Sequence, residues 1–512
     1  MLDRFGDHFD IFNSASVQTR QHSIMDGLLD FLFQWPLYIL KLGCDAVTAS
    51  SLATSVLSTL VCGLVTLYGS TAVWRWYYES YRDKRSSLPL PPGSFGYPIV
   101  GETLHFLAEG MTEFVLNRRR KEGINKTHLL GTPMVNIDSS QRVNQLASKE
   151  PHGLASCLPT STRVIIGSHG ISVASGKEHA SMKKTMTEAF TPMRLTDYLP
   201  VVQRCIYRHV RSWVEGSPET KMLGFKACET MVSDLFLETV VGCSREQDPG
   251  GKVRDAFIDC KENLFCIPLA IPGMAYYKAK KSRQIVIDFV KTYLREAKSS
   301  DKDFVTIMDV LLSHQHKLGQ TSQENTNDKT GDQNASDELL SETQLLDNAI
   351  NLMVAGSDAI SSSFCSVLNL LGRYPEKLAA VRRELESQDL LDNGNLVNDF
   401  QIPANWRVQY SIKGIHEVTK AFDDAEKFLP ERWLDPKLEE KLRTEFPCAY
   451  SPFGFGTRAC VGKALALQMM SVFVIEVARY TDWTLLNPGA KRVFLPIEKP
   501  SDNLPMNIRK RK

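Results

Sequence analysis

Residues 451–466 read Ser451-Pro452-Phe453-Gly454-Phe455-Gly456-Thr457-Arg458-Ala459-Cys460-Val461-Gly462-Lys463-Ala464-Leu465-Ala466 and lead into an amphipathic helix reaching about Ala478. The pattern F-x-x-G-x-R-x-C-x-G is complete. Its glycines let a loop turn tightly enough to present a thiolate to a metal. The loop amides and the start of the next helix stabilise the negative sulfur, and an arginine two residues earlier is placed to pair with a carboxylate. Such a loop suits a haem iron that takes one cysteine as axial ligand. A rival reading takes Gly454, Gly456 and Ala459 as a dinucleotide fingerprint, but the proline-containing CAYSPF replaces the expected buried strand and no βαβ pattern surrounds it. The bland reading is a structural cysteine in a glycine turn.

Outward from this loop, the 512-residue chain has ordinary globular composition, 43% hydrophobic and 23% charged. Sixty Lys and Arg against 59 Asp and Glu give a formal charge of +1, which removes the global electrostatic argument for a nucleic-acid partner. Eleven cysteines without a C-x-x-C pair point away from a disulfide scaffold or zinc site and toward a reducing compartment.

Residues 51–74 carry no charge over 24 positions. As a helix they would extend about 36 Å, enough to cross a bilayer. The flank that follows has interfacial aromatics (Trp74, Trp76, Tyr77, Tyr78) and the cations Arg75, Arg82, Lys84 and Arg85, predicting a cytosolic side. Residues 1–50 form an extension. Its apolar stretch 28–42 is broken by Asp30, Gln34 and Pro36 and reads as interfacial. Residues 75–93 form a basic flank and proline-rich hinge, Leu88-Pro89-Leu90-Pro91-Pro92-Gly93, read as a stiff spacer before the body at 94–512. Apolar residues at helical intervals make 191–296 mostly helix. Residues 316–343 are almost devoid of large apolar side chains and read as a disordered loop. In the long apolar helix of 344–371, Ala355-Gly356-Ser357-Asp358 predicts a distorted turn facing a ligand, since glycine costs about 1 kcal/mol in a helix interior.

These motifs together resemble the cytochrome P-450 haem-thiolate monooxygenases, from about Leu88 to the end. The LPLPPGSFGYPIVGETLHFL opening is most similar to the plant microsomal clan acting on steroids and terpenoids. The turn Glu426-Lys427-Phe428-Leu429-Pro430-Glu431-Arg432-Trp433 matches a further family motif. The resemblance implies a mainly α fold with a small β portion, preceded here by a single transmembrane helix. It implies haem b, with Cys460 as axial thiolate, Arg458 as a propionate partner, Phe453 shielding the sulfur, and Gly456 and Gly462 shaping the loop. The helix Gly176-Lys177-Glu178-His179-Ala180-Ser181-Met182-Lys183-Lys184 is similar to the one whose His and basic residue, here His179 and Lys183, bind propionates. Gly356, Asp358 and Ala359 match the oxygen-binding groove. The implied activity is hydroxylation of an apolar terpenoid- or steroid-like molecule with O2. Electrons would come from an NADPH-dependent reductase at the endoplasmic reticulum membrane, with the body in the cytosol and no nucleic acid involved. The alternatives are an O2-independent isomerase and a catalytically impaired haem protein.

Two departures matter. Where the family's threonine delivers protons stands Ala359, and the first hydroxyl after Asp358 is Ser361. Between Glu386 and Asp399 there is only SQDLLDNGNLVN, without the family's Glu-x-x-Arg helix, and Glu440-Lys441-Leu442-Arg443 lies too late to replace it. Arg432 is thus expected to lack the partners of a buried ion network, at a cost of a few kcal/mol.

Overall fold

The computed structural model describes residues 52–80, 88–143, 158–296, 305–325, 339–384 and 407–511, with short gaps at 99, 119–122, 130–131, 138, 141, 267, 411, 413–414, 417–420, 426, 447 and 495–497. The expectations for residues 1–50 and for the stretch between Glu386 and Asp399 lie outside the described residues. Contacts divide the chain into two compact units, 1–109 with 113–137 and 399–411, and 110–112 with 138–398 and 412–512.

The first unit begins with α1 (Leu52–Ser80), followed by α2 (Thr103–Asn117), which is kinked at Gly110, where φ is +75°. Strands β1 (Ile124–Leu129) and β2 (Thr132–Ile137) pair antiparallel. The strand Arg407–Tyr410 adds parallel to β2. Helix α1 shows apolar side chains to its surroundings, with Leu60, Leu64 and Val65 each about 60% exposed. Its last turns do the opposite. The Trp74 ring meets the His128 imidazole of β1 at 5.0 Å, and Tyr78 contacts both Phe95 and His128, its hydroxyl 3.2 Å from Nε2. Burial pushes His128 down to about 4, so the ring is neutral in this box. The proline-rich segment is bonded to β1. The Lys126 amide donates to the Pro92 carbonyl at 2.7 Å, and Gly93 bridges Lys126 so closely that a Cβ would lie 2.2 Å from its carbonyl oxygen. Polyproline geometry leaves carbonyls unpaired, and β1 uses one of them.

The second unit is helical. It contains α3 (Thr160–Ile166), α4 (Gly176–Thr187), α5 (Pro192–Val214), α6 (Gly224–Val241), α7 (Lys252–Glu262), α8 (Ala275–Glu296), α9 (Ile307–Asn325), α10 (Glu342–Arg373), α11 (Pro375–Glu384), α12 (Pro436–Thr444) and α13 (Lys463–Tyr480). The small β portion is β3 (Thr220–Leu223) with the strands Pro505–Lys510 and Thr481–Leu485, and the hairpin of Arg492–Phe494 with Glu498–Pro500. Helix α10 starts on a reciprocal cap, in which the Ser341 hydroxyl accepts from the Gln344 amide and the Gln344 side chain accepts from the Ser341 amide. It is long and apolar enough to cross a membrane, but half of its apolar stretch is buried in this unit, so it serves as the core helix. Phe364 on α10 stacks on Phe473 of α13 with ring centroids 4.0 Å apart.

Two expectations change. Residues 316–325, read as loop, continue α9, whose N-terminal Ile307, Met308 and Leu311 are buried and nucleate it. Residues 326–338 lie outside the described residues. Arg432 is half-buried and bonds three carbonyls, those of Asp423 (2.7 Å), Asp424 (3.0 Å) and Lys427 (3.3 Å). The cost of an unpaired buried charge does not arise there, because carbonyls of the same turn accept hydrogen bonds from its guanidinium.

Candidate haem-thiolate site

The cysteine loop folds through its own backbone. The Gly454 amide donates to the Ser451 carbonyl at 3.0 Å, and the Cys460 amide closes the loop onto the Phe453 carbonyl at 2.8 Å. Gly454 and Gly456 hold φ of +72° and +64°, a region that costs other residues about 1 kcal/mol or more. Cys460 is exposed and lies two residues before Gly462, the N-cap of α13, so the first-turn amides and the positive helix end face its side of the loop. The other loop thiol differs. Cys448 is half-buried, and burial pushes it up to about 11, which keeps it protonated.

Cations gather on the same loop. Lys183 of α4 donates to the carbonyls of Thr457 (2.6 Å) and Ala459 (3.1 Å). Arg458 donates to the Ala174 carbonyl at 2.7 Å and to that of Ile171 at 3.5 Å. His179 lies one turn before Lys183 and is buried. Phe453 sits beneath the Lys463 ammonium, 5.9 Å from the ring centre. An open thiol at a helix N-terminus, with a lysine and an arginine at the loop edge, fits an iron porphyrin that has two carboxylates. Cys460, Gly456, Arg458 and Gly462 come together because they are adjacent in sequence. Lys183 joins them across 277 positions by chain folding.

At the groove residues the structure departs from the sequence reading. Helix α10 runs without a break through Gly356. The glycine is there for packing, since a Cβ would lie 2.1 Å from the Phe236 ring of α6. Asp358 pairs with Lys261 of α7 at 2.9 Å, and Lys261 is only 1% exposed. Ala355 and Ala359 are exposed on one face of the helix. Ser361 is buried and donates to the Ser357 carbonyl, whereas half-buried Ser363, one turn past Ala359, donates to the Ala359 carbonyl at 2.9 Å. The hydroxyl nearest in sequence therefore faces the core. Lys261 was missed by sequence reasoning, although a signal exists: it continues the apolar stripe Val253, Phe257, Cys260 and Leu264, where a lysine needs a buried partner.

The family model for cytochrome P450 matches residues 91–388 and 391–496. The chain is 28% identical to cytochrome P450 26A1 of Gallus gallus over 89% of this chain and 97% of that one. It is 27% identical to cytochrome P450 26B1 of Homo sapiens, over 90% and 94%. Among solved structures it is similar to the retinoic acid bound cyanobacterial CYP120A1, at TM-score 0.69 and 25% identity, covering 83% of this chain and all of that one. The cytochrome P450DA heme domain shares the fold, at TM-score 0.66 and 17% identity, covering 83% and 98%. These comparisons bear out the resemblance at the level of the superfamily. With the family model covering most of the chain and the helical fold shared, this chain belongs to the cytochrome P450 family, the haem-iron monooxygenases that use O2, a redox partner and a small-molecule substrate.

Proposed function

We propose that this protein hydroxylates an apolar isoprenoid-like molecule, with Cys460 as the axial ligand and electrons from an NADPH-dependent reductase. The observation that carries the reading is the exposed Cys460, held by its amide bond to Phe453 at the N-terminus of α13. Retinoic acid bound to the cyanobacterial relative supports the substrate class. Haem, when bound, supplies the oxidising chemistry on O2. The protein's own residues do the rest. The loop amides and the α13 terminus would stabilise the thiolate, Lys183, Arg458 and His179 would hold the porphyrin carboxylates, and the open Ala355 and Ala359 face leaves room for an apolar substrate. Asp358 is held by Lys261, and Ser363 is the hydroxyl on the open face.

Retinoic acid added to the reconstituted enzyme is expected to shift the Soret band and to yield a hydroxylated product that depends on reductase and O2. Absence of both the shift and the product would reject this substrate class. Replacing Ala359 by Thr adds a proton donor one turn before Ser363 and should raise product formed per electron consumed by roughly twofold or more. Equal coupling in the two forms would show that water or the substrate already delivers the proton.

Helix α1 is proposed as the membrane anchor at the endoplasmic reticulum, with the haem body cytosolic. The uncharged stretch 51–74, its basic flank and the exposed Leu60, Leu64 and Val65 support this. Deleting residues 1–85 should move the protein from carbonate-washed membranes to the supernatant. Continued sedimentation would contradict a single-helix anchor.

A further inference from the structure

Three polar side chains interrupt the buried surface of α10 in its second and third turns. Asp347, Asn348 and Asn351 are each at most 3% exposed. All three bond the backbone that leads from α3 toward α4. Asp347 Oδ2 accepts from the His169 amide at 3.0 Å and lies 3.4 Å from that residue's ring Nδ1. Asn348 Oδ1 accepts from the Ile171 amide at 2.8 Å, and Asn351 Nδ2 donates to the Ile166 carbonyl at 2.9 Å. From α8, Arg283 donates Nε to the Ile165 carbonyl at 3.0 Å and pairs through Nη2 with Asp347 Oδ1.

Two glycines permit this approach. A Cβ on Gly167, where φ is +104°, would lie 2.1 Å from Asp347 Cγ, and one on Gly170 would lie 2.3 Å from Asn351 Nδ2. The far end of the segment is gripped by Arg458 at the Ala174 carbonyl. Two residues later α4 begins, and its Lys183 returns to Thr457 and Ala459. Residues 165–175 are therefore a strap with one end fastened to the core helix and the other to the cysteine loop. Asn351 Oδ1 is buried without a hydrogen-bond partner, but the other groups of the cluster are paired and favour this backbone geometry, because its alternatives leave them unpaired as well.

We propose that Asp347, supported by Asn348 and Asn351, is a positioning residue. It fixes strap 165–175 and so holds Arg458 and α4 around Cys460, which sets how long the protein retains haem. This rests on the assignment of Cys460 as axial ligand, which the Cys460→Ser variant tests separately.

The experiment uses the full chain loaded with haem, and follows haem transfer to excess apomyoglobin together with the ferrous carbon-monoxide spectrum. Asp347→Ala removes the fastening, and Gly167→Ala pushes the strap away without touching the charge. Both should release haem roughly tenfold faster and lose part of the red-shifted Soret band, the scale expected for outer partners of a metal site. Asp347→Asn keeps an acceptor oxygen for His169 and should stay within about threefold of wild type. Val290→Ala, a core truncation in α8, is the control for a general loss of stability. Haem release from Asp347→Ala no faster than from Val290→Ala, or an unchanged spectrum in both strap variants, overturns the proposal. If Asp347→Ala does not fold, Gly167→Ala decides by the same two readouts.

Discussion

Cys460→Ser should abolish the strongly red-shifted Soret band of the ferrous carbon-monoxide complex, while Cys448→Ser leaves it intact. The band requires that the residue holding the haem iron be a thiolate. Cys460 is open and placed at the start of α13, whereas burial keeps the Cys448 thiol protonated. The expected change is complete loss and not a graded decrease, because a serine hydroxyl does not ionise at neutral pH. Retention of the band by both variants would reject Cys460 as the ligand. Its loss in Cys448→Ser alone would transfer the assignment to that residue.

Asp358→Ala should destabilise the protein by about 3 kcal/mol, the scale measured when one member of a buried ion pair is removed. Lys261 would keep a charge at 1% exposure without its 2.9 Å partner. Asp358 itself is 20% exposed, which puts the effect toward the lower end of that scale. The double variant Lys261→Met, Asp358→Ala removes both charges and should recover most of the loss, since a pair replaced by apolar side chains of similar volume is often neutral. Chemical denaturation of the three variants measures this. A single variant within about 0.5 kcal/mol of wild type would show that solvent, and not the carboxylate, satisfies Lys261.

What the sequence made legible was local. The cysteine loop is contiguous, so the spacing of Phe453, Gly456, Arg458, Cys460 and Gly462 carries its own geometry. The helices of 191–296 follow from apolar periodicity, and the structure shows them as α5 to α8. What was not legible depends on pairing across distance. Asp358 finds Lys261 across 97 positions and Asp347 finds His169 across 178, so neither acid shows its partner in the one-dimensional pattern. Gly356 looked like a distortion because its reason, the Phe236 ring, lies on another helix. The bond between the proline-rich segment and β1 was not legible for the same cause, since the strand that takes up the Pro92 carbonyl lies some thirty residues further on. Which hydroxyl shares the face of Ala359 was not legible either, because sequence distance ignores helical phase. Ser361 is nearer to Asp358 in the chain, but Ser363 shares the face of Ala359.

The aromatic box at the end of α1 makes that helix a lever and not a tether. Trp74 and Tyr78 are seated on His128 and Phe95, so the helix axis and the β1 strand keep a fixed angle. A slack linker would let the length of the apolar stretch vary without effect. With a seated joint, each residue inserted upstream of Trp74 turns the preceding helix by about 100° relative to the sheet and lifts it by about 1.5 Å. Under the proposed anchoring by α1, the phase of the helix, and not only its length, would decide which side of the β1 and β2 sheet is turned toward the bilayer.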